Sequence, residues 1–469
     1  MMRLLWKLSA IELAQGYRSG AYTPAQVAQA CLERLDAVNP AMNAVISRRD
    51  AEFLADAQAS TLRFEQGVPL SMLDGIPLSI KDNIPMADLP TTWGTLSLKD
   101  YFPLEDEWVV SRARRAGALL IGKTNVPEFT LEGYTDNPVF GPTRNPWNLD
   151  LTPGGSSGGA VASVAAGITP LAIGTDGGGS IRRPASHAGL VGLKPSIGAI
   201  ARGHMLPPLL LDFEVVGPIG RTVADVTFLF NMLCGPQSGD RTSLAAAQAM
   251  QDTSKKLPAK KRILYVEHFP DSPLDPEIAS SVRASIDVLK SLGHEVQAGD
   301  LPLDLSFFTQ AWSDVGAIGL SSLFEQKPEW GEKASSKYLD MAARALEMPA
   351  SHLLSIIEQA DTLRRQAVSL FEAFDIVITP AAAALPWPAT TPYPPIIDGQ
   401  NVGPRGHAVY TGWVNVAGLP AIALPCQPSC KGLPIGLQMI AGYGRDLDLL
   451  DFASVFEAAQ PWSDRWPEL

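Results

Sequence analysis

The sequence predicts one large α/β domain, a layered α/β/α sandwich with a mixed, twisted central β-sheet flanked by helices. Three observations carry this expectation. Short apolar runs at residues 76–80, 118–121 and 171–174 have the length of buried strands, and helical stretches such as 108–116 alternate with them. The 469 residues exceed one average domain, yet large α/β enzymes keep a single continuous sheet at that length. No internal repeat or low-complexity tract divides the chain.

Taken in order, residues 1–65 read as an N-terminal helical layer. Thr23 and Pro24 form an N-cap and first helical position, after which Val27, Cys31, Leu35 and Val38 share one face. Residues 66–250 form the core that carries the candidate chemistry. Beyond the polar stretch 235–254, a strand is expected at 263–266, then helices including 276–292 and 342–374, then a proline-rich loop at 380–395. This 251–400 region is expected to shape a substrate pocket. Residues 401–469 return to the core through short apolar strands within 415–438 and a closing helix at 446–459.

Composition excludes several classes. Apolar residues make up 46% and charged residues 18%, an ordinary globular balance with ample core. The 37 basic and 49 acidic residues leave a net charge of −12, which repels nucleic acid on average, and no basic block exceeds Lys255-Lys256 or Lys260-Lys261-Arg262. Arg3, Lys7 and Glu12 interrupt any signal-peptide stretch, and no run of about 18 apolar residues offers a membrane span. Four scattered cysteines suit a reducing cytoplasm. Cys426 and Cys430 lack a second pair, so no metal is expected.

The candidate chemistry lies on three segments. Asp74-Gly-Ile-Pro-Leu-Ser-Ile-Lys81-Asp82-Asn83 reads as a turn and a short apolar strand that ends on a lysine. Thr152-Pro-Gly-Gly-Ser156-Ser157-Gly-Gly and Thr175-Asp176-Gly177-Gly178-Gly179-Ser180 then set two glycine-walled serines 24 residues apart, around a helix at 160–166 and the strand at 171–174. Glycine lets backbone N–H groups turn inward, so Gly177, Gly178 and Gly179 suit an oxyanion nest before a nucleophilic hydroxyl. A serine needs a base, and no histidine stands near either loop except His187, which sits among apolar neighbours and reads as packing. Lys81 must serve instead. An exposed lysine is neutral in only about one molecule in a thousand at pH 7, and burial beside Ile76, Leu78 and Ile80 is the way to correct that.

These motifs resemble the amidase signature family, whose pattern joins a lysine after a GIPxxxKDN-like segment to GGSSGG and then to DxGGSIRxPA. The resemblance continues through Leu89-Pro-Thr-Thr92, Gly122-Lys-Thr-Asn-Val-Pro-Glu-Phe129, Phe374-Asp-Ile-Val-Ile-Thr-Pro380 and Gly432-Leu-Pro-Ile-Gly-Leu-Gln438. It implies a Ser–Ser–Lys triad in which Ser180 attacks a carbonyl, Ser156 relays the proton and Lys81 receives it. It further implies a cis Gly155–Ser156 bond, a supporting role for Arg182 on the loop carbonyls or Asp176, and hydrogen-bond support from Ser157 and Thr175. Arg183 carries no role and reads as a solvated charge. The implied reaction is cofactor-free hydrolysis of a small-molecule amide, ester, anilide or carbamate through an acyl-enzyme, with no membrane or nucleic-acid partner and a homodimer allowed.

A second reading is an interaction protein similar to the glutaminase component of the glutamine-dependent tRNA amidotransferase, although Asp176-Gly-Gly-Gly-Ser180 departs from its usual DTGGS form. Two motif matches are decoys. Gly154-Gly-Ser156-Ser-Gly158 satisfies a nucleophile-elbow pattern but has no recognisable acid–histidine context. Gly117-Ala-Leu-Leu-Ile-Gly122-Lys123-Thr124 matches the P-loop letters, yet its middle is a strand whose amides belong to sheet pairing. Pocket walls are expected from 86–94, 129–140, 205–211, 305–323 and 380–395, with Phe129, Tyr134, Phe308, Trp312, Trp387 and Tyr393 as candidate aromatic lining.

Overall fold

Among the described residues, eleven strands join in one mixed sheet, and two more form a small hairpin. The computed structural model describes residues 4–251 and 257–469. In chain order the strands are β1 (Val45–Arg48), β2 (Pro77–Lys81), β3 (Leu119–Thr124), β4 (Leu171–Asp176), β5 (Val191–Lys194), β6 (Val215–Gly220), β7 (Arg262–Tyr265), β8 (Glu295–Ala298), β9 (Ile376–Pro380), β10 (Ile396–Ile397), β11 (Gln400–Asn401), β12 (Ala421–Pro425) and β13 (Gly436–Ile440). Across the sheet they run β1-β3-β2-β4-β6-β5-β12-β13-β9-β7-β8, with β10 and β11 paired apart. Strands β3, β2 and β4 are mutually parallel, as are β9, β7 and β8, whereas every pairing from β4 to β9 is antiparallel. The mixed α/β sandwich is therefore the fold expected of the sequence.

The central strands are buried along their whole length, which is why they read as apolar runs rather than alternating ones. Helix Gly158–Ala165 packs on β4 and β2, helix Arg182–Ala188 packs on β12 and β5, and helix Asp446–Ala459 packs on β12 and on helix Val223–Leu233. Helix Pro24–Met42 starts as the sequence requires. Thr23 caps it by accepting from Gln26 N at 3.2 Å, and Gln26 Oε1 in return accepts from Thr23 N at 2.9 Å.

Three expectations need correction. The N-terminal layer is not purely helical, because β1 leaves it to pair antiparallel with β3 at the sheet edge. The stretch 342–374 is two helices, Ser336–Leu346 and Ala350–Ala373, since Pro349 cannot donate a backbone bond and ends the continuity. The polar stretch 235–254 holds a helix, Arg241–Gln251. Arg3, Ser254 and the Lys255-Lys256 pair lie outside the described residues.

The P-loop-like segment is settled by β3. Gly122 lies inside the strand at φ 153°, and a Cβ there would stand 2.0 Å from Ser47 O on β1. Its use is close strand approach, not phosphate binding. Gly122→Ala is expected to destabilise the fold by about 1–3 kcal/mol through overpacking. Urea denaturation checks this, and an unchanged midpoint would mean that β1 yields freely.

Candidate active site

Two parallel strands deliver the first groups to one place. The β2–β4 register pairs Ile80 with Ile173, so Lys81 at the end of β2 emerges beside Thr175 and Asp176 at the end of β4. Lys81 has no solvent exposure. Its Nζ lies 2.8 Å from Ser156 Oγ, 2.8 Å from Thr175 Oγ1 and 3.1 Å from Thr175 O. Burial drives its pKa down to about 7, while the more distant carboxylates of Glu214 and Asp176 pull the other way. In the neutral amine, Thr175 can accept both N–H bonds, which turns the lone pair toward the Ser156 hydroxyl. Asn83 Nδ2 donates to Thr175 Oγ1 at 3.1 Å and steadies that hydroxyl.

Ser156 is buried at the entry to helix Gly158–Ala165, and the Gly155–Ser156 peptide is cis. Ser157 links the two serine loops. Its N–H donates to Ser180 O at 3.1 Å and its hydroxyl to Thr175 O at 3.2 Å.

The Ser180 loop is tied down by Asp176. One carboxylate oxygen accepts from Gly179 N at 2.7 Å and Arg182 Nη2 at 2.9 Å, and the other accepts from Ile181 N at 3.0 Å and Arg182 Nε at 3.1 Å. Burial alone would raise this carboxyl's pKa, but the Arg182 ion pair outweighs it and holds the group well below the usual carboxylate range. Arg182, itself fully buried, reaches on to Gln438 Oε1 at 2.9 Å and Thr411 O at 3.2 Å. Asn415 Nδ2 donates to Asp176 O at 2.7 Å. Because Asp176 takes the Gly179 N–H, that glycine is unavailable as the oxyanion donor the sequence suggested. The N–H groups of Gly177, Gly178 and Ser180 have no protein partner among the described residues.

A family model described as Amidase matches residues 26–450. The chain belongs to the amidase signature family. It is similar to an acylamidase of Rhodococcus erythropolis, 32% identical with 98% of this chain and 97% of that one covered. It is similar as well to the A-type component of a glutamyl-tRNA(Gln) amidotransferase of Alkaliphilus metalliredigens, 31% identical with 95% of each covered. Among solved structures, a bacterial aryl acylamidase of the amidase signature enzymes superposes with a TM-score of 0.87 at 29% identity, covering 97% of both chains. A 6-aminohexanoate cyclic dimer hydrolase superposes with a TM-score of 0.84 at 30% identity, covering 99% of both.

In this amidase signature enzyme, Ser180 opens into a cleft of about 500 Å³. Its walls include Leu131, Leu210, Phe308, Trp312, Gly316 and Met341. Trp312 and Phe308 thus stand where the sequence placed them. Phe129 does not: it is fully buried in an aromatic cluster with Trp93, Phe324 and Tyr338. Tyr134 serves through its backbone, which approaches Gly155 so closely that a Cβ there would meet Tyr134 O at 2.4 Å. Trp387 packs on His407 at 4.7 Å between ring centres, away from the cleft, and Tyr393 is not part of the lining. The wall expected from 380–395 comes instead from 403–406.

Arg183 also departs from expectation. It is buried and donates to Gly178 O at 2.6 Å and Thr411 Oγ1 at 3.1 Å. His187 is a packing residue as read, buried, bonded at Nε2 to Ala384 O at 3.1 Å and pushed down to about 4 by burial. The partners that sequence reasoning missed, Thr411 and Asn415, carry no local motif; Gln438 ended a matching segment without a stated role. No described helix is long and apolar enough to cross a membrane. Among the described residues no cluster of three or more His, Cys, Asp or Glu could hold a metal ion.

Proposed function

We propose that this protein is an amidase that hydrolyses the C–N bond of apolar or aryl amides through an acyl-enzyme on Ser180. The observation that carries the reading is the buried Lys81 amine on the Ser156 hydroxyl, at the sheet edge that also presents Ser180. As Ser180 Oγ bonds to the carbonyl carbon, its proton passes to Ser156 Oγ while the Ser156 proton passes to Lys81 Nζ. The carbonyl π pair moves onto oxygen, where the N–H groups of Gly177, Gly178 and Ser180 offer stabilisation. Collapse breaks the C–N bond, and the relay returns the proton to the departing amine. Water then attacks the acyl carbon, again losing its proton through Ser156 to Lys81. Esters, anilides and carbamates present the same carbonyl with a different leaving group.

The Rhodococcus acylamidase and the aryl acylamidase structure support the amide assignment, and the Phe308–Trp312 wall supports an apolar or aryl substrate. Four free cysteines accord with a cytoplasmic location. A second reading, glutaminase component of a tRNA-dependent amidotransferase, is favoured by the 31% identity to the Alkaliphilus protein.

One experiment separates and tests these readings. A fluorophosphonate should label the purified chain on Ser180, and the chain alone should turn over aryl amides. Labelling on Ser156 would reverse the roles of the serines. Turnover confined to glutamine and dependent on added partner proteins would favour the amidotransferase reading.

A further inference from the structure

The cleft above Ser180 presents two guanidinium groups, neither of which is bonded to a carboxylate among the described residues. Arg183 and Arg405 both line it. Arg183 is 2% exposed, and its bonds go to a backbone carbonyl and a threonine hydroxyl, with Nε left without a partner. Arg405 is exposed at the mouth and makes one bond, from Nη2 to Leu131 O at 3.3 Å. Among the described residues neither guanidinium is bonded to a carboxylate. Burial first, and then the positive field of Arg405, push Arg183 down to about 9, against the weaker opposing pull of Asp176, whose carboxylate is bonded to Arg182. Of the other charges of the cleft, Arg344 pairs with Asp314 at 3.3 Å and Glu132 with Lys337 at 2.9 Å, and the Glu132 carboxylate also acts on Arg405 at longer range without bonding it.

A buried cation facing a second cation is unfavourable unless a counter-charge arrives. Such a pair persists in a chain of net charge −12, at the one cleft that holds the nucleophile. Guanidinium groups are the preferred partners of planar carboxylates, which they bind in a forked geometry. We infer that the substrate of this enzyme is an amide that also bears a carboxylate, received between Arg183 and Arg405 while its apolar body lies against Phe308 and Trp312. This rests on the amidase reading above and adds the charge of the substrate. The anion neutralises the arginine pair and anchors the substrate so that its amide carbonyl is held at Ser180.

The test compares matched anilides. N-(4-nitrophenyl)glutaramic acid carries the carboxylate on the acyl side, N-butyryl-4-aminobenzoic acid carries it on the amine side, and the methyl ester of each is the neutral isostere. At least one acid should exceed its ester in kcat/KM by about 10- to 100-fold, the worth of a charge-assisted hydrogen-bonded pair. Arg405→Gln should collapse that ratio through KM, and Arg405→Lys should restore part of it. Binding to the Ser180→Ala protein, followed by calorimetry, gives a readout independent of turnover, and the favoured acid should bind more tightly than its ester. Equal or weaker binding and turnover of both acids, or a ratio untouched by Arg405→Gln, overturns the inference and leaves the amidase reading standing. Absence of turnover of any anilide, with preferential binding of an acid, would instead sink the amidase reading and retain the anion site.

Discussion

Replacing Lys81 by Ala should lower kcat/KM by about 10²- to 10⁴-fold at pH 7, the range typical of a positioned general base. The reason is specific to this site. The wild-type amine, lowered to about 7, is half neutral near physiological pH and already aimed at Ser156 by its two bonds to Thr175. Only the neutral form can accept a proton. Wild-type kcat/KM should therefore rise as pH passes upward through about 7 and then level, whereas a base with an ordinary lysine pKa would still be gaining activity near pH 10. Lys81→Arg should be as inactive as the alanine variant, because a guanidinium does not give up its proton in this range. A pH–rate profile of the wild type and single-turnover acylation of both variants check this. Retention of activity within tenfold at neutral pH by Lys81→Ala would remove the lysine from the relay.

Asp176→Ala should produce the largest loss of stability among single changes at the site, about 3–5 kcal/mol. The side chain accepts bonds from Gly179 N, Ile181 N and two nitrogens of Arg182, all in a region without solvent. Its removal leaves the Arg182 charge buried beside only neutral acceptors, on Thr411 and Gln438 among them. It frees the Gly179 N–H as well, so the loop bearing Ser180 loses its shape along with its charge balance. Urea denaturation measures the loss. The double variant with Arg182→Met should recover part of it, since the stranded charge goes too. A loss below about 1 kcal/mol, or a fully additive double variant, would show that the pair is not what organises the loop.

What could be read from sequence was local. Lys81 ends a short apolar strand, and Ser156 and Ser180 each follow a run of glycines next to an apolar element, and such patterns announce where a side chain must face inward. The strands at 76–80, 118–121, 171–174 and 263–266 were legible for a related reason, because burial on both faces leaves a continuous apolar run. Long-range partners were not legible. Arg183 looks like a surface charge until Thr411, more than two hundred residues away, is seen to lie against it. The Gly179 N–H appears available until Asp176 is placed on it. Aromatic residues misled for the converse reason. Phe129, Tyr134 and Trp387 stand near the motifs in sequence, but ring packing draws Phe129 into an aromatic cluster and Trp387 onto His407, and Tyr134 contributes main chain.

The seat of Arg182 has a consequence for biosynthesis. Lys81, Ser156 and Ser180 are all made early, yet Thr411, Asn415 and Gln438 follow more than two hundred residues later. A nascent polypeptide halted before residue 411 therefore carries Lys81, Ser156 and Ser180 but lacks the partners that hold the Ser180 loop in register. Catalytic competence is in this way deferred until residues 411–438 have been made, and a product terminated before them would be inert despite an intact signature.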